Sequence, residues 1–187
     1  MRRSIIYLFL FSLLMSTLTG CREPRTPISY QSLDTLLTSG RLEYYGAFYK
    51  AEGIDLDVIS LDLYSKGLTL NKSGKMEGIG TNLYLSDIFV PTTDGHLPAG
   101  TYHSDSTARE MHFLRGLNYD GNYGGSYVLL VGESSYSVLL ITEAEMTVAY
   151  SGDTMILDGR ATLKNRRQPY PFHFRNILPV THREHNE

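Results

Sequence analysis

"SYVLLVGESSYSVLLIT", residues 126–142, decides the fold. Two short runs rich in valine and leucine, Ser126 to Val131 and Tyr136 to Thr142, flank Gly132-Glu133-Ser134-Ser135. Branched residues bounded by a glycine and serine cluster predict two strands joined by a hairpin. VLLV and VLLI show no polar alternation, so the pair is expected to lie centrally, buried on both faces. Downstream, Met146 to Tyr150 alternates and meets Met155 to Leu157 through Ser151-Gly152-Asp153-Thr154. Glycine stands there at the first central position, as a type II′ turn requires. Ala161 to Leu163 and Tyr170 to Phe174 read as the last strands.

Upstream, the same period of two continues. Ile54 to Tyr64 (IDLDVISLDLY) alternates but changes phase at Val58-Ile59, which predicts a bulge or sharp bend there. Arg41 to Lys50 is aromatic-rich and reads as a strand, followed by strands within Gly78 to Val90, Gly100 to His103 and Met111 to Leu117. Ser32 to Leu37 reads differently, as one short helix with Ser32 as its N-cap. About nine or ten strands, with turn residues every 8 to 12 positions, predict an all-β chain. The expected architecture is an antiparallel meander barrel or a β-sandwich.

The N-terminus carries an address. Met1-Arg2-Arg3 is basic, and Ile5 to Leu14 (IIYLFLFSLL) is apolar except for Ser12. Such a run rises about 15 Å as a helix, half of what a bilayer core needs, so it reads as a secretory leader rather than a span. It ends at Leu18-Thr19-Gly20-Cys21, which resembles the lipobox of bacterial lipoproteins. That resemblance implies cleavage before Cys21, a diacylglycerol on its sulfur and an acyl chain such as palmitate on the new amino group. A thiolate is the best side-chain nucleophile for such alkylation, and several chains on one residue would hold the protein on a membrane. Arg22 stands where an aspartate would signal inner-membrane retention, which implies the outer membrane. Cys21 is the single cysteine of the chain, so the exported domain must be stable without disulfides.

Cleavage leaves 167 of the 187 residues, enough for one domain with a sizeable core. The expected organisation is a signal peptide over 1–20, a lipidated tether and short helix over 21–40, an all-β domain over 41–176 and a polar tail over 177–187. The formal charge is −3 for the whole chain and falls to −5 once Arg2 and Arg3 leave. That balance argues against nucleic acid, whose binding rests on clustered cations. The basic run Lys164-Asn165-Arg166-Arg167 reads as a solvated loop.

A second resemblance is carried by "GIGTNLYLSDIFVP…LPAGTY…GGSYVLL…LITEAEMTVAYSGDTMILDG". It is similar to a pattern in Bacteroidetes lipoproteins with all-β domains, some described as calycin-like barrels. It implies a fold and an envelope location, and no catalytic residues. Glu143-Ala144-Glu145 departs from the Ser-Gly-Gly type of turn that the family places there.

Candidate sites are few. Asn118, Asp120 and Asn122 put oxygen side chains at every second position, as a calcium loop does, but Asn, Asp and Gly also build ordinary hairpin turns. Asp55, Asp57 and Asp62 invite a carboxylate pair, yet read as solvent-facing acids that keep a strand soluble. His103 and His112 could reach a metal with Asp105 and Glu110 only if the 104–110 loop folds back, and no zinc spacing is present. Tyr44, Tyr45, Tyr119 and Tyr123 lie near strand ends and could form a stacking surface for a sugar or an apolar ligand. No nucleophile elbow, phosphate loop or dinucleotide fingerprint occurs. The expectation is therefore a non-enzymatic, cofactor-free, lipid-anchored module for a small ligand, glycan or envelope partner. The alternatives are an assembly subunit of an envelope complex and, behind it, a hydrolase with dispersed carboxylates.

Overall fold

The structure, a computed structural model, describes residues 33–71 and 73–183. The leader over 1–20, Cys21 and the tether over 22–31 lie outside the described residues. So do Ser32 and His185. Among the described residues no helix is long and apolar enough to cross a membrane.

The chain is all-β. In order, the strands are β1 (Leu36–Gly46), β2 (Asp57–Ser65), β3 (Leu68–Leu70), β4 (Met76–Gly78), β5 (Gly80–Val90), β6 (Gly100–Asp105) and β7 (His112–Leu114). They continue with β8 (Leu117–Tyr119), β9 (Asn122–Gly124), β10 (Tyr127–Val131), β11 (Tyr136–Ser151), β12 (Thr154–Leu163), β13 (Tyr170–Asn176) and β14 (Val180–His182). A single 3-10 turn, Lys50–Glu52, joins β1 to β2. The helix expected over 32–37 is absent: Leu33 to Thr35 are irregular, and Leu36 and Leu37 already pair with His173 and Phe174. Pairing and the burial of Leu37 at 1 % exposure outweigh a weak local helix signal.

The pairings close on themselves. β1 pairs β2, β2 pairs β5, β5 pairs β10, then β11, β12 and β13 follow, and β13 returns to β1. At the other end of the ring, β7 and β6 bridge β5 to β11 in place of β10. The result is one barrel-like ten-stranded sheet, with β3–β4 and β8–β9 as small separate hairpins. It is mixed rather than purely antiparallel, because β1–β13, β1–β14 and β6–β7 run parallel. The first follows from parity: seven strands alternating in direction cannot close a ring without one parallel pair. Leu61, Leu83, Val128, Ile141, Leu157 and Phe172 are among the side chains that fill the interior.

The bulge expected at Val58-Ile59 occurs there in the pairing with β1, but β2 does not carry the extra residue. The irregularities fall on its neighbours, between Tyr44 and Gly46 of β1 and between Leu85 and Ile88 of β5. Asp87 inside the second of these has φ 47°. Every residue of β2 is buried, so Ile59, Leu61 and Leu63 face the core while Val58, Ser60, Asp62 and Tyr64 lie under cover on the other side.

Two strands expected around a turn at 142–146 are one 16-residue strand, β11. Glu143-Ala144-Glu145 continues the alternation, with Ala144 6 % exposed and the glutamates outward. A bulge between Ile141 and Glu143 takes the place of the turn. Ser151-Gly152-Asp153-Thr154 is a two-residue hairpin in which Gly152 has φ 59° and Asp153 has no positive φ, as type II′ geometry requires. β10 is buried only at alternate positions, Val128 and Leu130, so VLLV is not covered on both faces. The C-terminal segment 177–183 is likewise not a free tail, since β14 adds to β1 through Val180, Thr181 and His182.

A candidate ligand cleft at the mouth of the sheet

One end of the closed sheet is capped by the loop over residues 91–99, between β5 and β6. Leu97 inserts as a plug and is fully buried. Tyrosine hydroxyls from three strands hold the loop. Tyr102 donates to the Pro98 carbonyl at 2.7 Å and Tyr150 to that of Leu97 at 2.7 Å. The Tyr44 hydroxyl lies 2.8 Å from Asp57 Oδ2 and 2.9 Å from the Thr93 carbonyl, while Thr93 N–H donates to the same Asp57 oxygen at 2.8 Å. Burial, and beside it Asp57, push the Tyr44 pKa up to about 12, and burial raises those of Tyr102 and Tyr150. All three therefore remain protonated donors at any physiological pH.

Beside the plug lies an open cleft of about 410 Å3. The cap loop forms one wall with His96, Leu97, Pro98 and Ala99. The tip of the β11–β12 hairpin forms the second with Tyr150, Gly152, Asp153 and Met155. The bend between β13 and β14 forms the third with Ile177, Leu178 and Val180, over Leu42 of β1. Ile177 is 61 % exposed, so this wall presents an apolar face to solvent. A concave, mostly apolar hollow with a few polar groups at its rim, at a barrel mouth, is the usual form of a small-molecule site.

Two other hollows are shallower in chemical content. His103, Glu143, Glu145 and Arg160 line a polar one of about 300 Å3, with His103 Nδ1 3.6 Å from Glu145 Oε2 and Arg160 3.8 Å from Oε1. The 104–110 loop does fold back, since β6 and β7 pair His103 with His112 and bring their rings to 5.8 Å. Even so, no group of three or more His, Cys, Asp or Glu among the described residues could hold a metal. The third hollow, about 320 Å3, lies on the outer face of β10 and β11, lined by Tyr123, Tyr127, Leu129, Tyr136 and Val138.

The sequence candidates fare unequally. Asn118, Asp120 and Asn122 sit in the β8–β9 hairpin, where Asp120 and Gly121 have φ 48° and 88°. Those are the paired positive values of a type I′ turn, and Asn118 Oδ1 accepts the Gly121 N–H at 3.1 Å. Their residue types thus serve the turn. Tyr123 joins the outer aromatic hollow, whereas Tyr119, 67 % exposed, does not line it. Tyr44 and Tyr45 form no common stacking surface: Tyr44 holds the cap loop and Tyr45 donates to Glu43 at 2.8 Å.

The expectation of solvent-facing acids fails for two of three. Asp55 is exposed, but Asp57 and Asp62 are only 3 % and 8 % exposed. Asp57 pins the cap loop, and Asp62 anchors a polar cluster outside the barrel wall. There it accepts from Tyr64 at 2.6 Å and from Asn82 at 2.6 Å, and pairs with Arg41 at 3.1 Å. Glu43 shares Arg41 and binds Tyr45 and Arg183. Asp57, Asp62 and Glu43 line none of the three hollows, and these carboxylates are committed to holding the cap loop and the strands. The mouth cleft itself draws on residues far apart in the chain, such as Leu42, Leu97 and Leu178, and nothing in local spacing marks them as neighbours. A scan of family models gives no match to this chain, and no curated protein or solved structure is significantly similar to it.

Proposed function

We propose that this protein is a lipid-anchored cell-envelope module that binds a small apolar ligand in the cleft at the mouth of its sheet. The observation that carries the reading is the cleft, an open apolar hollow between three independently anchored walls. The lipobox at Cys21 supports the envelope address. A neutral environment-sensitive fluorophore, N-phenyl-1-naphthylamine, tests the site directly. It should bind with enhanced, blue-shifted emission, and Ala99→Phe should reduce that enhancement at least severalfold. Ala99 is exposed on the cap-loop wall, so the larger ring fills the hollow without disturbing the core. Unchanged emission in the variant would place the dye elsewhere and sink the reading.

The anchor has its own test. In a fractionated host, Cys21→Ala should move the protein from the membrane pellet to the soluble fraction, because a single unacylated chain retains no lipid to hold it. Equal retention of wild type and variant would remove the lipid tether. A second reading, assembly with an envelope partner, draws on the aromatic hollow of β10 and β11, where Tyr136 is 72 % exposed beside Leu129 and Val138.

A further inference from the structure

We propose that the cleft takes a single-chain amphiphile with a cationic head group, an inference that rests on the reading of this hollow as a ligand site. Its floor and walls, from Leu42, Leu97, Met155 and Leu178, offer an apolar lining with no buried charge to be met. At about 410 Å3 it lies toward the small end of the ligand-site range, which suits one slender chain rather than a multi-chain lipid.

The rim sets the head group. Asp153, exposed at the β11–β12 turn, lines the cleft opposite the cap loop. Asp94 stands on the cap loop with its side chain 84 % exposed, 3.9 Å from His96 Nε2. No lysine or arginine is among the described residues that line the hollow. The sign of the rim survives protonation of His96. Asp153 lines the cleft itself, while Asp94, outside the lining, stands beside His96 and offsets its charge when the ring is protonated. An ammonium at the mouth is therefore attracted in either state, and a carboxylate is opposed. The tail enters the cleft, the head stays in water at the rim, and the polar groups lose little hydration.

The experiment uses the full chain carrying Cys21→Ala, so that no anchor lipid competes for the cleft. Decylamine and decanoate, matched in chain length and used below their micellar concentrations, displace bound N-phenyl-1-naphthylamine. Contact with one carboxylate in water changes affinity about fivefold, in favour of the ammonium and against the carboxylate, which separates the two by about 25-fold before salt screening reduces it. Decylamine should thus displace the dye at roughly a tenfold lower concentration than decanoate. Asp153→Lys, a surface change at a turn, should level or reverse that preference when each displacement is scored against the variant's own dye affinity. Dye binding with equal displacement by both compounds, or a preference that Asp153→Lys leaves unmoved, overturns the head-group inference and leaves the ligand site standing. Failure of the dye to bind at all removes both.

Discussion

Phe172→Ala is expected to lower the free energy of unfolding by about 3–5 kcal/mol. The ring is fully buried in the interior of the closed sheet, and its direct cross-strand partner on β12 is Gly159. A glycine there leaves the outline of a missing side chain, and the phenyl ring covers it. A Cβ built on Gly159 would lie 2.3 Å from the Phe172 ring. The pair thus acts as one packing unit, with the aromatic area lent across the strand gap. Removing the ring deletes its transfer energy and leaves a cavity bounded by strands that cannot collapse without breaking a closed ring of pairings. Gly159→Ala should itself destabilise by about 1–3 kcal/mol, because the ring must shift in a filled core. In the Phe172→Ala background that second cost should shrink, since the obstructing ring is gone. It should not vanish, because the Glu145 carbonyl would still lie 2.8 Å from the new Cβ. Urea unfolding of the two single variants and the double variant measures the coupling. Strict additivity would show that the ring and the glycine do not pack as one unit.

Asp62→Ala is the second large effect, with an expected loss of about 2–4 kcal/mol. Asp62 takes hydrogen bonds from Tyr64 and Asn82, which are 4 % and 2 % exposed. Without it the buried Tyr64 hydroxyl loses its acceptor, and Asn82 keeps only its bond to the Leu63 carbonyl at 3.1 Å. Arg41 suffers less, because its side chain is 34 % exposed and can turn to water or to Glu43. The companion carboxylate gives the cluster a pH signature. Burial alone would raise the Glu43 pKa, but hydrogen bonds from Arg183 and Tyr45, with the charge of Arg41, outweigh it and leave the pKa lowered. A carboxylate depressed in the folded state adds stability above its unfolded pKa, near 4.5, and loses it as pH falls through the lower folded value. Acid unfolding should therefore steepen below that point. Glu43→Gln should flatten this limb while leaving the slope above pH 6 unchanged. An identical acid limb in wild type and Glu43→Gln would show that the cluster's charge does not contribute.

Much of the architecture was legible from short-range pattern. The valine and leucine runs either side of Gly132 to Ser135 became β10 and β11 in register, and Gly152 made its turn. Alternation is a local signal, and a strand must keep it whichever neighbours it finds. What alternation cannot carry is the neighbour itself. The β1–β13 pairing joins Leu36 to His173, so nothing close in sequence to Leu36 and Leu37 marks them as strand rather than helical turn. The acids misled for a related reason. A carboxylate in an alternating run ordinarily faces water, but Asp62 lies opposite Arg41 only because β1 and β2 pair in that register. The mouth cleft was illegible in sequence because its walls come from a loop, a hairpin tip and a bend that meet only when the ring closes. Tyr44, read in the sequence as a stacking residue, instead holds the cap loop by its hydroxyl, as Tyr102 and Tyr150 do.

Closure by the two ends of the domain has a consequence for biogenesis. β1 is among the first parts of the body to emerge from any pore, whereas its partners β13 and β14 are the last. Contacts spanning nearly the whole domain form late, because the chain entropy of so long an excursion must be overcome before any pairing repays it. A polypeptide threaded N-terminus first would cross with its opening strand unsatisfied and its apolar interior unsealed until residue 174 is through. Such a chain needs shielding for that interval, and a truncation before Tyr170, which removes β13, would leave the sheet open.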